Sequence, residues 1–315
     1  MYLRSVRDSS LADLNVRASV FVAACGYEHR SLEITRLING PKLRTALCFR
    51  EWDKAMAREH NEQEFVKRGF TLEAVGGNEP AKVQQVVGRV TAAALLSGGA
   101  SAFDISSMTR AWHGALVREL WTTECNCALE VFFAYAPAQF RRSAQKSWPN
   151  EFVEPAHGFA ALSTPDLPVA AVIGLGSERE RALGLQQWLD PSRTMLLVPN
   201  SGAGDRFHAE VRKSNRDLLA RTPHEWVFPY SPFEPAATFS MLASIVDGLR
   251  SSYRVVLASL GPKIFGLLCF LLATKFDDVS VWRVSSGVHA HPRDAHADLE
   301  HLTVVSTIWE SSGAH

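Results

Sequence analysis

Two short polar turns hold residues of this sequence that could bind or transform a ligand. The first lies in AFDISSMTR (102–110), directly after an apolar run. It provides a carboxylate, two hydroxyls and a guanidinium, from Asp104, Ser106, Ser107 and Arg110. The second, SLGPK (259–263), follows another apolar run and contains Gly261 and Lys263. Cationic side chains pair with anionic oxygens and small residues let backbone approach a ligand, so these turns suit a phosphate or a nucleotide.

Two further polar turns follow earlier apolar runs, GYEHR (26–30) after SVFVAAC and LGSER (175–179) after VAAVIG. They provide Tyr27, Glu28 and Arg30 in the first half of the chain, and Ser177 and Arg179 in the second. Asn200 follows the next apolar run of the second half. In a doubly wound sheet the first and fourth strands are commonly neighbours, so we expect these turns to meet in pairs at the carboxyl edge.

The residue types predict roles at such an edge. The cations that would hold phosphates are Arg30, Arg110, Arg179 and Lys263. Glu28 and Asp104 are the candidates for a catalytic carboxylate, because either could act as a general base, bind a ribose hydroxyl or hold a metal. Ser106, Ser107 and Asn200 would read the sugar or base.

These residues also have structural alternatives, which the sequence leaves open. Asp104 would satisfy the N–H groups of its own turn, and one of the two following serines would cap the next helix. Glu28 and Arg30 would form a structural ion pair. Lys263 would be a solvated lysine in the first turn of a helix.

The elements that position these turns alternate in a regular order. Each half of the chain reads βαβαβαβαβ, with first strands at 19 and 169 and fifth strands near 129 and 279. Alternating strands and helices predict parallel sheets with right-handed crossovers. We therefore predict an α/β fold of two Rossmann-like parallel-sheet halves, produced by internal duplication and related by a pseudo-twofold axis.

The expected boundaries follow from the same pattern. Residues 1–145 form the first half, a proline-rich segment at 146–168 is the linker, and residues 169–315 form the second half. An additional strand, LTVVSTIW (302–309), is expected at the end of the second half.

Composition limits the class of protein. The chain has 315 residues, with 33 basic and 33 acidic side chains, so nucleic acid binding remains open but is not indicated by net charge. Five cysteines without a C-x-x-C motif argue against a disulfide framework. The N-terminus lacks a signal-peptide core, and the longest apolar run is about half of what a bilayer requires. We expect a cytoplasmic protein without a membrane segment.

The motifs after the fourth strands, DISSMTR (104–110) and SLGPK (259–263), are similar to those of the CARF superfamily. CARF domains are Rossmann-like sensors of cyclic oligonucleotides in CRISPR and related antiviral systems. Two fused copies, over roughly residues 19–288, resemble the SAVED version, in which the ligand lies across the pseudo-dimer. The resemblance implies a nucleotide or cyclic-oligonucleotide sensor or regulatory subunit of a bacterial antiviral defence system, with a separate effector protein and no cofactor.

Two alternatives stay open. The chain could be an enzyme acting on a nucleotide, either a phosphodiesterase of the ring-nuclease type or an N-glycosidase or transferase that uses Glu28 or Asp104. It could also be an interaction subunit of a defence complex that binds no ligand.

A histidine-rich segment near the C-terminus could provide zinc or manganese ligands. It contains His289, His291, His296 and His301, together with Asp294 and Asp298. A loop of solvated histidines is the favoured interpretation, so we predict no metal site there.

Overall fold

The structure is a computed structural model that describes residues 1–140, 150–200, 202, 206–285 and 293–311. The chain divides into two compact units. The first unit comprises Met1–Gln139 together with Pro292–His315, and the second comprises Phe140–His291. Within the described ranges, no helix combines the length and the apolar character needed to cross a membrane.

The first unit is built on a seven-stranded sheet in the order β1-β13-β6-β5-β2-β3-β4. Its strands are β1 (Tyr2–Ser9), β2 (Ala18–Cys25), β3 (Leu43–Phe49), β4 (Thr71–Val75), β5 (Ala100–Asp104), β6 (Leu129–Tyr135) and β13 (Thr303–Glu310). Its helices are α1 (Leu11–Arg17), α2 (Glu33–Leu37), α3 (Arg58–Lys67), α4 (Pro80–Ser97) and α5 (Arg110–Thr122), with a 3-10 turn at His29–Leu32. Strands β2 to β6 are parallel, whereas β13 runs antiparallel to both β6 and β1.

The second unit is built on a six-stranded sheet in the order β10-β9-β8-β11-β12-β7. Its strands are β7 (Phe152–Pro155), β8 (Val169–Gly174), β9 (Arg193–Pro199), β10 (Val227–Tyr230), β11 (Arg254–Ser259) and β12 (Ser280–Ser285). Its helices are α6 (Arg181–Leu189), α7 (Arg206–Ser214), α8 (Arg216–Arg221), α9 (Pro235–Arg250) and α10 (Lys263–Ala273). All its strands are parallel except β7, which pairs antiparallel with β12.

The two units share one strand order. Counted along the chain, the five parallel strands of each unit lie in the order 3-2-1-4-5, and an antiparallel strand flanks the fifth. The predicted α/β class with two Rossmann-like halves is therefore confirmed. The first parallel strands are almost continuously apolar because both of their faces are covered: seven of the eight residues of β2 are buried.

Three strands with antiparallel pairing differ from the expected organisation. The C-terminal strand β13 lies in the sheet of the first unit, between β1 and β6, and not in the second half. Strand β7 lies inside the expected linker, of which residues 146–149 fall outside the described ranges. Strand β1 occupies a polar stretch at the N-terminus. Strand β7 has only four residues and β1 is largely polar, so periodicity identifies neither of them. Strand β13 was expected as a strand, but its pairing with β6 joins segments far apart in sequence, so its sheet could not be assigned from the pattern.

Candidate functional site

The carboxyl edge of the first sheet brings together the turns after β2 and β5. These strands are parallel neighbours, with Val22 opposite Phe103 near their ends. The residues that follow them, 26–31 and 105–109, therefore leave the sheet side by side. Glu28, Arg30 and Ser107 meet at this edge of the sheet, as expected from the strand order.

A buried ion pair forms the centre of this edge. The Nε of Arg30 donates to Oε2 of Glu28 at 2.6 Å. The Arg30 side chain is 7% exposed and that of Glu28 is 19% exposed. Burial lowers the pKa of the Arg30 guanidinium, but the charge of Glu28 and its hydrogen bond more than offset burial, so the pKa lies above its ordinary value. The charge of Arg30 is thus compensated by Glu28 within the protein.

Two hydroxyls extend this ion pair. Ser107 Oγ donates to Oε2 of Glu28 over a long 3.4 Å, and Ser31 Oγ donates to Ser107 Oγ at 3.0 Å. Ser31 was missed by the sequence analysis, because a serine in the first turns of a helical segment gives no signal of its own. The Tyr27 side chain is half-buried beside them, and burial, followed by the charge of Glu28, raises the pKa of its hydroxyl.

Asp104 and Ser106 brace the turn that follows β5. Oδ1 of Asp104 accepts from the Ser106 N–H at 2.9 Å, and Ser106 Oγ accepts from the Ala136 N–H at 2.9 Å. Both side chains are buried. The N-cap of α5 is Thr109, whose Oγ1 accepts from a backbone N–H of the first helical turn at 3.1 Å. Neither serine of the turn has this role. Arg110 is the first residue of that helix and is half-buried.

A buried asparagine holds the turn after the first parallel strand in each unit. In the first unit, Nδ2 of Asn61 donates to the carbonyls of Gly26 at 2.8 Å and Glu28 at 2.9 Å. In the second unit, Nδ2 of Asn215 donates to the carbonyl of Gly176 at 2.8 Å. Both asparagines follow the second parallel strand. Sequence reasoning missed them because each partner lies more than thirty residues away.

In the second unit, the turns after β8 and β11 touch through their backbones. A Cβ on Gly176 would lie 1.9 Å from the carbonyl oxygen of Leu260, and a Cβ on Gly261 would lie 2.3 Å from that of Leu175. These glycines are therefore required for the close approach of the two turns. The expected meeting of the turns at 175–179 and 259–263 is thus a direct contact in this unit.

The polar residues around this contact occupy different environments. Lys263 is the first residue of α10 and is half-buried, and Pro262 before it provides no side-chain cap. Ser177 is half-buried, whereas the side chain of Arg179 is 66% exposed, with its Nε 3.3 Å from a carboxylate oxygen of the next residue. Asn200 donates its backbone N–H to the Tyr230 carbonyl at 2.8 Å.

A cluster of imidazole and carboxylate groups includes His29, a residue of the same turn of the first unit. Nδ1 of His29 is 2.8 Å from Oδ2 of Asp294, and Nε2 of His296 is 3.2 Å from the same oxygen. The two imidazole rings stack with centroids 4.9 Å apart. Partial burial raises the pKa of Asp294, but hydrogen bonds and charge from His29, and the charge of His296, hold it below its ordinary value. His289 and His291 lie outside the described residues, and His301 pairs with Asp298 at 2.8 Å.

Neither a protein-family model nor a curated protein matches this sequence.

Proposed function

We propose that this protein binds a nucleotide-type anionic ligand at the carboxyl edges of its Rossmann-like sheets. The observation that supports the proposal most strongly is the recurrence of one arrangement in both units. Each has the order 3-2-1-4-5, and in each the polar turn after the first strand lies against the turn after the fourth. Ligands of open parallel sheets bind outside the carboxyl ends of the strands, at the point where strand order reverses.

Different residues would take different parts in binding. Lys263 and the exposed Arg179 are positioned to meet phosphate oxygens, because neither is enclosed in the protein interior. Arg110 offers a third cation, at the first position of α5. Arg30 is held by Glu28, and the buried Ser31 donates to Ser107, so we assign to these three residues the positioning of Ser107, whose hydroxyl would contact the sugar or base.

The proposed cellular role is that of a cytoplasmic sensor or regulatory subunit of a bacterial antiviral defence system. Two facts support it, the duplicated Rossmann-like architecture and the resemblance of DISSMTR and SLGPK to the CARF motifs. A separate effector protein would then respond to ligand binding. All five cysteines are free thiols, which fits a reducing compartment.

Thermal unfolding with a panel of linear and cyclic nucleotides tests the binding proposal. A ligand at one hundred times its Kd stabilises the folded state by about 2.7 kcal/mol, which shifts the Tm of a unit of this size by several degrees. Lys263→Ala removes a charge-assisted hydrogen bond worth about 1.5–3 kcal/mol, so we expect at least tenfold weaker binding.

The matched control is Lys213→Ala, an exposed lysine in the last turn of α7, which should leave binding unchanged. Equal effects of the two substitutions would contradict a site at the start of α10. If no nucleotide in the panel raises the Tm, the interaction-subunit hypothesis replaces the present one.

One contact favours an enzyme as the second candidate function. Glu28 is partly exposed and its carboxylate lies 3.4 Å from the Ser107 hydroxyl, an arrangement in which a carboxylate can assist proton transfer. Incubation with each nucleotide that raises the Tm, followed by chromatography of the products, separates the two functions. Turnover that is abolished by Glu28→Gln or Asp104→Asn, with binding retained, would favour the enzyme over the sensor.

A further inference from the structure

We propose that His29, Asp294 and His296 form a binding site for a divalent first-row transition metal in the first unit. One ring nitrogen of His29, a carboxylate oxygen of Asp294 and one ring nitrogen of His296 all lie within 4.8 Å of one another. Two imidazoles and one carboxylate are a ligand set that zinc, iron and manganese sites use, with the remaining positions open to water or a ligand.

The distances fit a metal after a small expansion. Tetrahedral zinc with ligands at about 2.0–2.1 Å places its ligand atoms about 3.3 Å apart. The Asp294 oxygen is now 2.8 Å from the His29 nitrogen and 3.2 Å from the His296 nitrogen. Movement of about half an ångström at the imidazole of His29 brings its distance from Asp294 to this spacing, and the two imidazole nitrogens, within 4.8 Å of each other, would adjust to the same spacing. A bound ion would take the place of the hydrogen bond between Nδ1 of His29 and the Asp294 carboxylate.

The ligands are held in place by the backbone rather than by the metal. The His29 N–H donates to Oδ1 of Asp294 at 3.1 Å, and the Arg30 N–H donates to the carbonyl of Ala295 at 3.0 Å. The His296 carbonyl accepts from the Gln139 N–H at 2.8 Å. Two segments 265 residues apart in sequence are thus fixed side by side, so the site is organised before an ion arrives.

The site is open to solvent and to a ligand at the sheet edge. The side chains of His29, His296 and Asp294 are 51%, 39% and 26% exposed, which leaves an approach for the ion and for further oxygen ligands. His29 lies between Glu28 and Arg30 in the chain, at the edge where we propose nucleotide binding. The metal site stands independently of that proposal, because it requires only the three protein ligands.

Titration of the metal-free protein with Zn²⁺ by calorimetry, and with Co²⁺ by visible absorption, tests the site. We expect one equivalent to bind and Co²⁺ to develop ligand-field bands. His296→Ala and the isosteric Asp294→Asn should each weaken binding at least tenfold and diminish those bands. Asp294→Asn retains shape and hydrogen-bonding capacity, and a thermal melt of each variant verifies folding.

The neighbouring pair of His301 and Asp298 is the matched control, since it offers the same chemistry from only two groups. His301→Ala should leave metal affinity unchanged. The proposal is overturned if the wild-type protein binds no ion, or if His296→Ala and His301→Ala have equal effects. Because no nucleotide is present, failure here is distinct from failure of nucleotide binding.

Discussion

Glu28→Gln should destabilise the first unit far more than the removal of an ordinary surface carboxylate. The substitution preserves the shape of the side chain but leaves the guanidinium of Arg30, 7% exposed, without its charged partner at 2.6 Å. Breaking a buried ion pair by removing one partner costs about 3–5 kcal/mol. Glu28 is itself 19% exposed, so water offsets part of the loss, and we expect the lower limit of about 3 kcal/mol.

Equilibrium unfolding in urea, followed by tryptophan fluorescence, measures this loss. The buried Trp112 and Trp309 report on the first unit. Glu33→Gln is the control, because it removes a glutamate of the neighbouring helix whose partner, Arg36, lies three residues on and has a 42% exposed side chain. Exposed pairs of this kind contribute about 0.3–0.5 kcal/mol.

A double substitution separates burial of an unpaired charge from a general loss of packing. Glu28→Gln with Arg30→Met replaces the buried ion pair by groups of similar volume, and such replacements are often neutral. We therefore expect the double variant to recover most of the stability that Glu28→Gln loses. If Glu28→Gln is no more destabilising than Glu33→Gln, the ion pair of Glu28 with Arg30 does not stabilise the first unit as we expect.

Substitutions at one glycine and two asparagines test the packing of the carboxyl edges. Gly261→Ala places a Cβ 2.3 Å from a backbone carbonyl oxygen. This clash should destabilise the second unit by more than about 2 kcal/mol. Gly248→Ala is the control: its Cβ would lie in open space in α9, and it should stabilise the unit by about 0.5–1 kcal/mol. Asn61→Ala and Asn215→Ala should each lower the free energy of unfolding by about 1–3 kcal/mol, because each removes the amide donor to one buried carbonyl, that of Gly26 or of Gly176. Urea midpoints check both expectations, and a neutral effect at either asparagine would contradict its role in holding the turn.

Much of the fold could be predicted because its signals are local. Strands such as β2 and β8 are continuous apolar runs, and Pro80 marks the start of α4 as expected of a proline at the first helical position. The alternation of these elements predicts parallel sheets. The position of β13 could not be predicted, since antiparallel pairing to β6 joins segments far apart in sequence and leaves no periodicity that assigns the strand to one unit.

For the candidate site, the sequence predicted which turns meet, because that follows from the strand order, but not the individual side-chain contacts. Adjacency of the first and fourth strands places Glu28 beside Ser107, and the sequence left an ion pair of Glu28 with Arg30 open, but it does not reveal that Arg30 is buried. The contact of His29 with Asp294 depends on how the C-terminal segment returns to the first sheet. Such contacts arise from the tertiary fold, which side-chain types and spacing do not encode locally.

Hydrogen-exchange mass spectrometry, with and without the nucleotide that gives the largest thermal shift, tests the central claim most directly. We expect slower exchange in peptides that cover the turns after the first and fourth parallel strands, at residues 26–31, 105–110, 175–180 and 260–265. Protection confined to the amino edges of the sheets, or a thermal shift without any change at these turns, would contradict binding at the carboxyl edges.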